Sequence, residues 1–246
     1  MNDRITQLET THDRDVKALT ARCDRLEREL AAMREVKGQT ESKSTQFDPK
    51  PPGMGIPPQG SELLKGFSGK DLKTMTKGMN ALKQWTGKAS ATIVYDSKKD
   101  PFTDQGLFDK VRGKANIALV TFTADGDVFG GFHSRAATEQ DKSFKDPDMF
   151  IFSFESRGRC ETPQRFVVKE ERKGNKYLRY YKNSPYVTFV DVGGNHGCFY
   201  LGNEKSSNTF CYELSSGFVG IQDNTLAGKP NCERFTCIRI VAVHLQ

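Results

Sequence analysis

Hydrophobic spacing along the chain passes through three regimes. In residues 1–36 apolar side chains recur with a seven-residue register, with Val16, Cys23 and Leu30 at a and Ile5, Leu19, Leu26 and Met33 at d. The seam Val16, Leu19, Cys23, Leu26, Leu30, Met33 is continuous, although Glu9 and His12 interrupt its start. Charged residues of both signs fill the flanking positions, the pattern of a coiled coil. In a parallel dimer Arg22 would face Glu27 and Glu29 would face Arg34, both attractive pairs. A parallel dimer through residues 1–36 is therefore expected. The other reading is one amphipathic helix docked on the body of the protein or on a partner, since an isolated helix of this length is marginal in water.

Residues 37–60 lose all periodicity. They hold five of the ten prolines, together with Gly-Met-Gly, and are expected to form a Pro/Gly linker. The segment 61–87 returns to helical spacing. Ser68-Gly69-Lys70-Asp71 resembles a capping box with Asp in place of Glu, and Leu72, Met75, Met79 and Leu82 follow at 3-4-3 spacing. The expected helix spans about 15 residues and stops near Trp85 and Gly87. Its other face carries Lys70, Lys73, Lys77 and Lys83, either a solvated face or a surface for a membrane or nucleic acid.

From residue 88 onward the period falls to two. Strands are expected over 91–95, 116–122, 128–132, 150–154, 165–168, 177–181, 186–190, 198–201, 208–212 and 235–243. Asp125-Gly126 between two of them is a hairpin signal. Phe150, Phe152 and Phe154 share one face, so Ile151 and Ser153 face the other way. Short helices fit best in 101–112 and 135–145. The fold class is mainly β with marginal helices (α+β): a two-sheet antiparallel sandwich over 88–246 behind a coiled coil, a linker and a basic helix.

Composition narrows the function. The formal charge of +6 divides into −1 over residues 1–36, +4 over 37–87 and +3 over 88–246. The basic excess is thus spread away from the largest segment, which weakens a charge-based case for nucleic acid. There is no apolar run long enough to span a membrane, so no membrane span is expected. Met1-Asn2-Asp3-Arg4 opens no secretory signal, and His244-Leu245-Gln246 is no lipidation end. Six cysteines in that setting read as reduced thiols in a cytoplasmic, or alternatively nuclear, protein.

Catalytic patterns are missing. The chain has no phosphate-binding loop, nucleophile elbow or HExxH pair. Gly193-Gly194-Asn195-His196-Gly197 lies between strands and reads as a turn. His196, Cys198, Cys211, Cys232 and Cys237 lack the CxxC-type knuckle of a zinc site. No metal and no cofactor are expected. Asp96, Asp125 and Asp127 read as turn punctuation at strand ends. Cys160, beside Arg157 and Arg159, is the candidate redox-sensitive thiol. The stretch 173–182 interleaves Lys176, Tyr177, Arg179 and Tyr181, either an exposed edge strand or, with Lys73, Lys77 and Lys83, a nucleic-acid surface.

The order of several short motifs carries a resemblance. Ile93-Val94-Tyr95-Asp96-Ser97, the hairpin Asp125-Gly126-Asp127-Val128-Phe129-Gly130-Gly131-Phe132, Phe150 to Phe154, and Gly193-Gly194 before Phe199-Tyr200-Leu201 together resemble the TLDc domain of the oxidation-resistance proteins. The arrangement is also similar to coiled-coil TLDc-like proteins of parasitic amoebae. Two features depart from the family pattern: Leu201-Gly202-Asn203-Glu204 after the glycine pair, and Trp85 as the single tryptophan. The resemblance implies a β-sandwich with helices at its margins, no established catalytic residues and a role in oxidative-stress tolerance. Some animal members bind the vacuolar proton pump, which makes such a pump a candidate partner. The expectation is a non-enzymatic, coil-oligomerised protein-interaction module; the alternative is a nucleic-acid-binding regulator.

Overall fold

The computed structural model describes residues 63–183, 186–192, 198–202 and 209–246. The expected coiled-coil seam, the linker and the Gly193-Gly194 turn lie outside the described residues. The chain divides at residue 56/57, and the second unit carries the fold discussed below.

The helix expected after the linker is α1 (Gly69–Thr86). Ser68 occupies its N-cap position, but the Ser68 side chain makes no capping hydrogen bond. The helix stops at Gly87, whose φ of 69° is the left-handed conformation in which a glycine ends a helix cheaply. Strands β1 (Ala91–Asp96), β2 (Ile117–Thr123), β3 (Val128–His133), β5 (Phe150–Glu155), β6 (Gln164–Val167) and β12 (Cys237–Leu245) form one sheet in the order β1-β12-β2-β3-β5-β6. The second sheet runs β11-β10-β9-β8-β7-β4, from β11 (Arg234–Phe235), β10 (Thr209–Tyr212), β9 (Cys198–Gly202), β8 (Tyr186–Val192), β7 (Lys176–Arg179) and β4 (Phe144–Lys145). All neighbouring strands are antiparallel. Helix α2 (Asp104–Val111) and the short α3 (Leu214–Gly217) lie in the connections.

The first sheet is buried on both faces. Ile117, Leu119, Phe129, Ile151, Ile240 and Ala242 contribute to an inner core shared with Leu178, Leu201 and Phe235 of the second sheet. The residues between them (Ala118, Val120, Phe132, Phe150, Phe152, Val241 and Val243) form a second core with Met75, Met79 and Leu82 of α1. Period-two alternation therefore sorts the strand side chains into two cores rather than into core and solvent. Each fully buried aliphatic side chain of α1 stabilises this layer by about 1.5–3 kcal/mol. The second unit is thus a helix on a sheet on a sheet, and β2, buried at every position, reads as a nearly unbroken apolar run for that reason.

Several expectations change in detail. Phe150, Phe152 and Phe154 do share a face opposite Ile151, but that face meets α1 and Trp85, not the second sheet. The interval 135–145 holds no helix; it is irregular until β4. The closing apolar run divides at Thr236: Arg234–Phe235 pairs with β10 in the second sheet, whereas Cys237–Leu245 pairs with β1 and β2 in the first. The chain crosses between sheets there, which a single hydrophobic run does not reveal. Nor is β7 an edge strand, because β4 pairs along its outer side. Two residues contributed from 32 and 34 positions upstream are invisible to local periodicity.

Candidate functional site

Among the described residues, Tyr95, Asp96, Asp127 and Gly130 of the family-like motifs are spent on the interior. Tyr95 donates its hydroxyl hydrogen bond to the Pro101 carbonyl at 3.0 Å, and burial raises the phenol above its ordinary pKa. Asp96, at the end of β1, is gripped on both oxygens by Arg239 of β12, with Nε to Oδ1 at 2.9 Å and Nη2 to Oδ2 at 2.6 Å. Both side chains are buried, and the guanidinium stacks 3.9 Å from the centre of the Phe67 ring. Burial pushes the Asp96 carboxyl up, but the Arg239 and Lys98 N–H bonds outweigh it and hold the group below the usual carboxylate range. Ser97 completes the run: its Oγ accepts from the Ile240 N–H, and its own N–H donates to the Ile240 carbonyl, both at 2.9 Å. The Tyr-Asp-Ser motif is a clasp between β1 and β12.

The hairpin motif works similarly. Asp127 is wholly buried, and one of its oxygens accepts from Arg159 Nη2 at 2.5 Å. Arg159 also donates to the carbonyls of Thr225 and Leu226 at 3.1 and 3.2 Å, tying the hairpin to the loop before β11. Asp127 Oδ2 has no hydrogen-bond partner. Burial accordingly raises the Asp127 carboxyl above its usual range, and the Arg159 bond does not fully oppose it. Gly130 leaves no room for a side chain, since a Cβ there would overlap the Leu119 carbonyl oxygen and meet the Phe152 ring at 2.7 Å. Asp96 and Asp127 are therefore each paired with an arginine in the interior; Asp96 also punctuates the turn as its position suggests, with Oδ1 accepting from the Lys98 N–H at 3.1 Å.

A third constellation links the sheets and had no sequence signal beyond a lone histidine ending an apolar strand. His133 is fully buried, with Nδ1 donating to the Arg135 carbonyl at 2.6 Å and Nε2 accepting from the Tyr180 hydroxyl at 2.9 Å. That tautomer follows from the network, because a carbonyl can only accept. Burial pushes the His133 imidazole down to about 4. Next to it, the buried Asp146 carboxylate accepts from the Ser134 hydroxyl at 2.7 Å and from the N–H groups of Ser134, Arg135 and Asp148.

The sequence-predicted site residues do not converge. Cys160 is half-buried, and its N–H donates to Ser156 Oγ at 2.6 Å. Of its two neighbouring cations, Arg159 is turned inward to Asp127. Cys211 and Cys237 are buried, and burial pushes the Cys237 thiol up to about 12. Cys232 is exposed in the turn before β11. Among the described residues no group of three or more His, Cys, Asp and Glu could hold a metal ion. Lys73 and Lys77 are exposed on α1, and Lys83 is half-buried there. Lys176, Tyr177 and Arg179 lie on β7 of the second sheet. The first sheet separates these two basic stretches, so they do not form one surface. Arg179 stacks on Tyr181 at 4.7 Å and reaches Asp141 at 3.4 Å, so both engage neighbours of their own chain.

The surface offers grooves instead. One of about 710 Å³ opens where α1 ends, over Trp85, Met149, Phe150, Arg165, Val167 and Val219. Arg165 bridges it, donating to the Trp85 carbonyl at 3.1 Å and lying 5.5 Å from the Phe150 ring centre. Val167 and Val219, 43% and 51% exposed, form its apolar rim. No described helix is long and apolar enough to cross a membrane.

The comparisons agree with the motif order. The model of the TLDc domain matches residues 71–237, well over half of the chain, so the chain belongs to the TLDc family. The match begins inside α1. A search of curated proteins gives no match.

Proposed function

We propose that this TLDc chain is a non-enzymatic protein-interaction module of the oxidative-stress response, assembled into a parallel dimer through residues 1–36. The observation that supports this reading is the use of the motif residues. Tyr95, Asp96, Asp127 and Gly130 are all engaged in closing the interior, and the Asp96 and Asp127 carboxyls are each held by an arginine. A reacting group needs access to substrate, and these residues are buried. Function is left to the surface, where the Trp85 groove with its exposed valine rim has the mixed apolar and polar character of a transient protein contact. A vacuolar-type proton pump is a candidate partner, and the cytoplasm the expected compartment, with the nucleus the alternative.

The test uses the intact chain. Sedimentation at tens of micromolar should give a dimer that Leu26→Asp converts to monomer, because a charge enters the seam. With peroxide and a thiol reductant the same protein should show no turnover, while mild peroxide modifies Cys160 ahead of the buried Cys211 and Cys237. Sustained peroxide consumption abolished by a single Cys→Ser change would overturn the non-enzymatic reading. Binding to duplex DNA that falls steeply with salt would replace the interaction module by the nucleic-acid regulator.

A further inference from the structure

The two sheets end in four outer strands, and three of them are protected. β4 and β11 are two residues long. β6 has four residues, and just beyond it Val168 bridges Phe218, with Val219 N–H donating to the Val167 carbonyl and Lys169 N–H to the Gly217 carbonyl. Short strands and covered edges are the ordinary defences of a sheet. β1 has neither: it is six residues long and, among the described residues, only β12 pairs with it.

Its open backbone groups can be assigned. Ser90 and Gln246 exchange both of their hydrogen bonds at 3.0 Å, and the register continues as Ala91–Leu245, Thr92–His244 and Ile93–Val243. In an antiparallel pair every second residue bonds to the partner strand, and the residues between direct N–H and C=O to the other side. Thr92 thus faces β12, whereas Ala91 and Ile93 present two donors and two acceptors outward. A groove of about 650 Å³ runs along that side, with Leu63 and Ile93 contributing its apolar lining.

The rim of this groove is basic. Lys65, Lys99 and Lys110 line it and are exposed. Lys99 Nζ donates to the Lys65 carbonyl at 3.3 Å, which brings the Lys99 ammonium against the backbone of Lys65. Of the two acids that also line it, Asp100 is paired with Lys110 at 3.0 Å, and Asp96 is neutralised by Arg239. The remaining field is positive. A second copy of this edge would bring two basic rims together and be repelled; an acidic strand would be attracted.

We propose that β1 accepts an extended, acidic segment of a partner protein as an added strand of the first sheet. The proposal rests on the interaction-module reading and names the chemistry of one partner. Main-chain hydrogen bonds from Ala91 and Ile93 supply the register, and Lys65 and Lys99 select for carboxylates.

The experiment uses the full chain and two fluorescein-labelled decapeptides, one alternating Glu with Val and one alternating Lys with Val. The Glu peptide should raise the anisotropy at low salt and lose affinity as salt rises, with the Lys peptide binding far more weakly. Ala91→Pro deletes an outward donor while leaving the Ser90 and Thr92 bonds to β12, so it should weaken the Glu peptide about tenfold at unchanged melting temperature. Lys65→Glu with Lys99→Glu should reverse the peptide preference. In hydrogen exchange, the Ala91 and Ile93 amides should become protected only when the Glu peptide is bound. Absence of Glu-peptide binding overturns the proposal, as does binding that Ala91→Pro leaves unchanged. Peptide-independent protection of both amides overturns it too, since the edge would already be covered. Peroxide turnover by the same protein would defeat the parent reading without altering any of these readouts.

Discussion

Two aspartates at strand boundaries, each buried against an arginine, are driven in opposite directions by their surroundings. Asp96 meets Arg239 through both oxygens, with a further bond from the Lys98 N–H at 3.1 Å. Asp127 meets Arg159 through one oxygen, and its other oxygen has no partner. Arg239 is as buried as its aspartate, at 2% and 4% side-chain exposure, whereas Arg159 keeps 25% beside an Asp127 at 0%. The first pair holds its carboxyl below the ordinary range and the second leaves it above. Burial alone does not decide how a carboxylate is tuned. The number and geometry of the hydrogen bonds that replace water do.

The strongest way to break the comparison is to remove the cation of the tight pair. Arg239→Met leaves Asp96 ionised in an interior with no counter-charge, and urea unfolding should show a loss of about 3–5 kcal/mol. Adding Asp96→Leu to that variant should recover most of the loss, because an apolar pair requires no desolvated charge. A double variant as unstable as the single one would contradict this.

Arg159→Met should cost less, about 1–3 kcal/mol, since Asp127 is already displaced toward protonation and the Thr225 and Leu226 carbonyls lose only one donor each. Equal losses from Arg159→Met and Arg239→Met in the same denaturant series would erase the distinction between the two pairs.

The smallest effect is the most diagnostic. Asp96 is lowered in the fold, so its contribution is complete above the unfolded value near 3.9 and is lost as pH falls through the folded value. Asp127 is raised, so its ionisation counts against the fold, and stability declines as pH rises from the unfolded value through the folded one. Relative to the parent protein, Asp96→Asn should therefore hurt most at neutral pH and least in acid. Asp127→Asn should hurt most in acid and least at neutral pH. Chemical denaturation across that range should give slopes of opposite sign, and parallel slopes would show that the two sites are electrostatically alike.

Much of the architecture was legible because local chemistry decides it. The β-branched and aromatic runs are strands, Ser68 and Gly87 bound α1, and Phe150, Phe152 and Phe154 alternate against Ile151, all as the sequence pattern requires. The motif order was legible too, as the family match over residues 71–237 shows. What the pattern misassigned has a common cause. A period-two run states that alternate side chains share a face, but not what covers either face. Hence the run does not specify that the Phe150 face packs under Trp85 of α1, nor that β4 covers the outer side of β7.

Local order, then, belongs to the sequence by itself: propensity, period and turn residues act within a few positions and need no distant partner. Pairings across the chain belong to the tertiary structure. Asp96 and Arg239 are 143 residues apart, and His133 and Tyr180 are 47 apart. An aspartate at the end of an apolar run looks identical whether it will cap a turn in water or meet a guanidinium in the interior. Only the packing of β1 beside β12, with Phe67 laid over the arginine, removes the water and makes the second outcome the stable one.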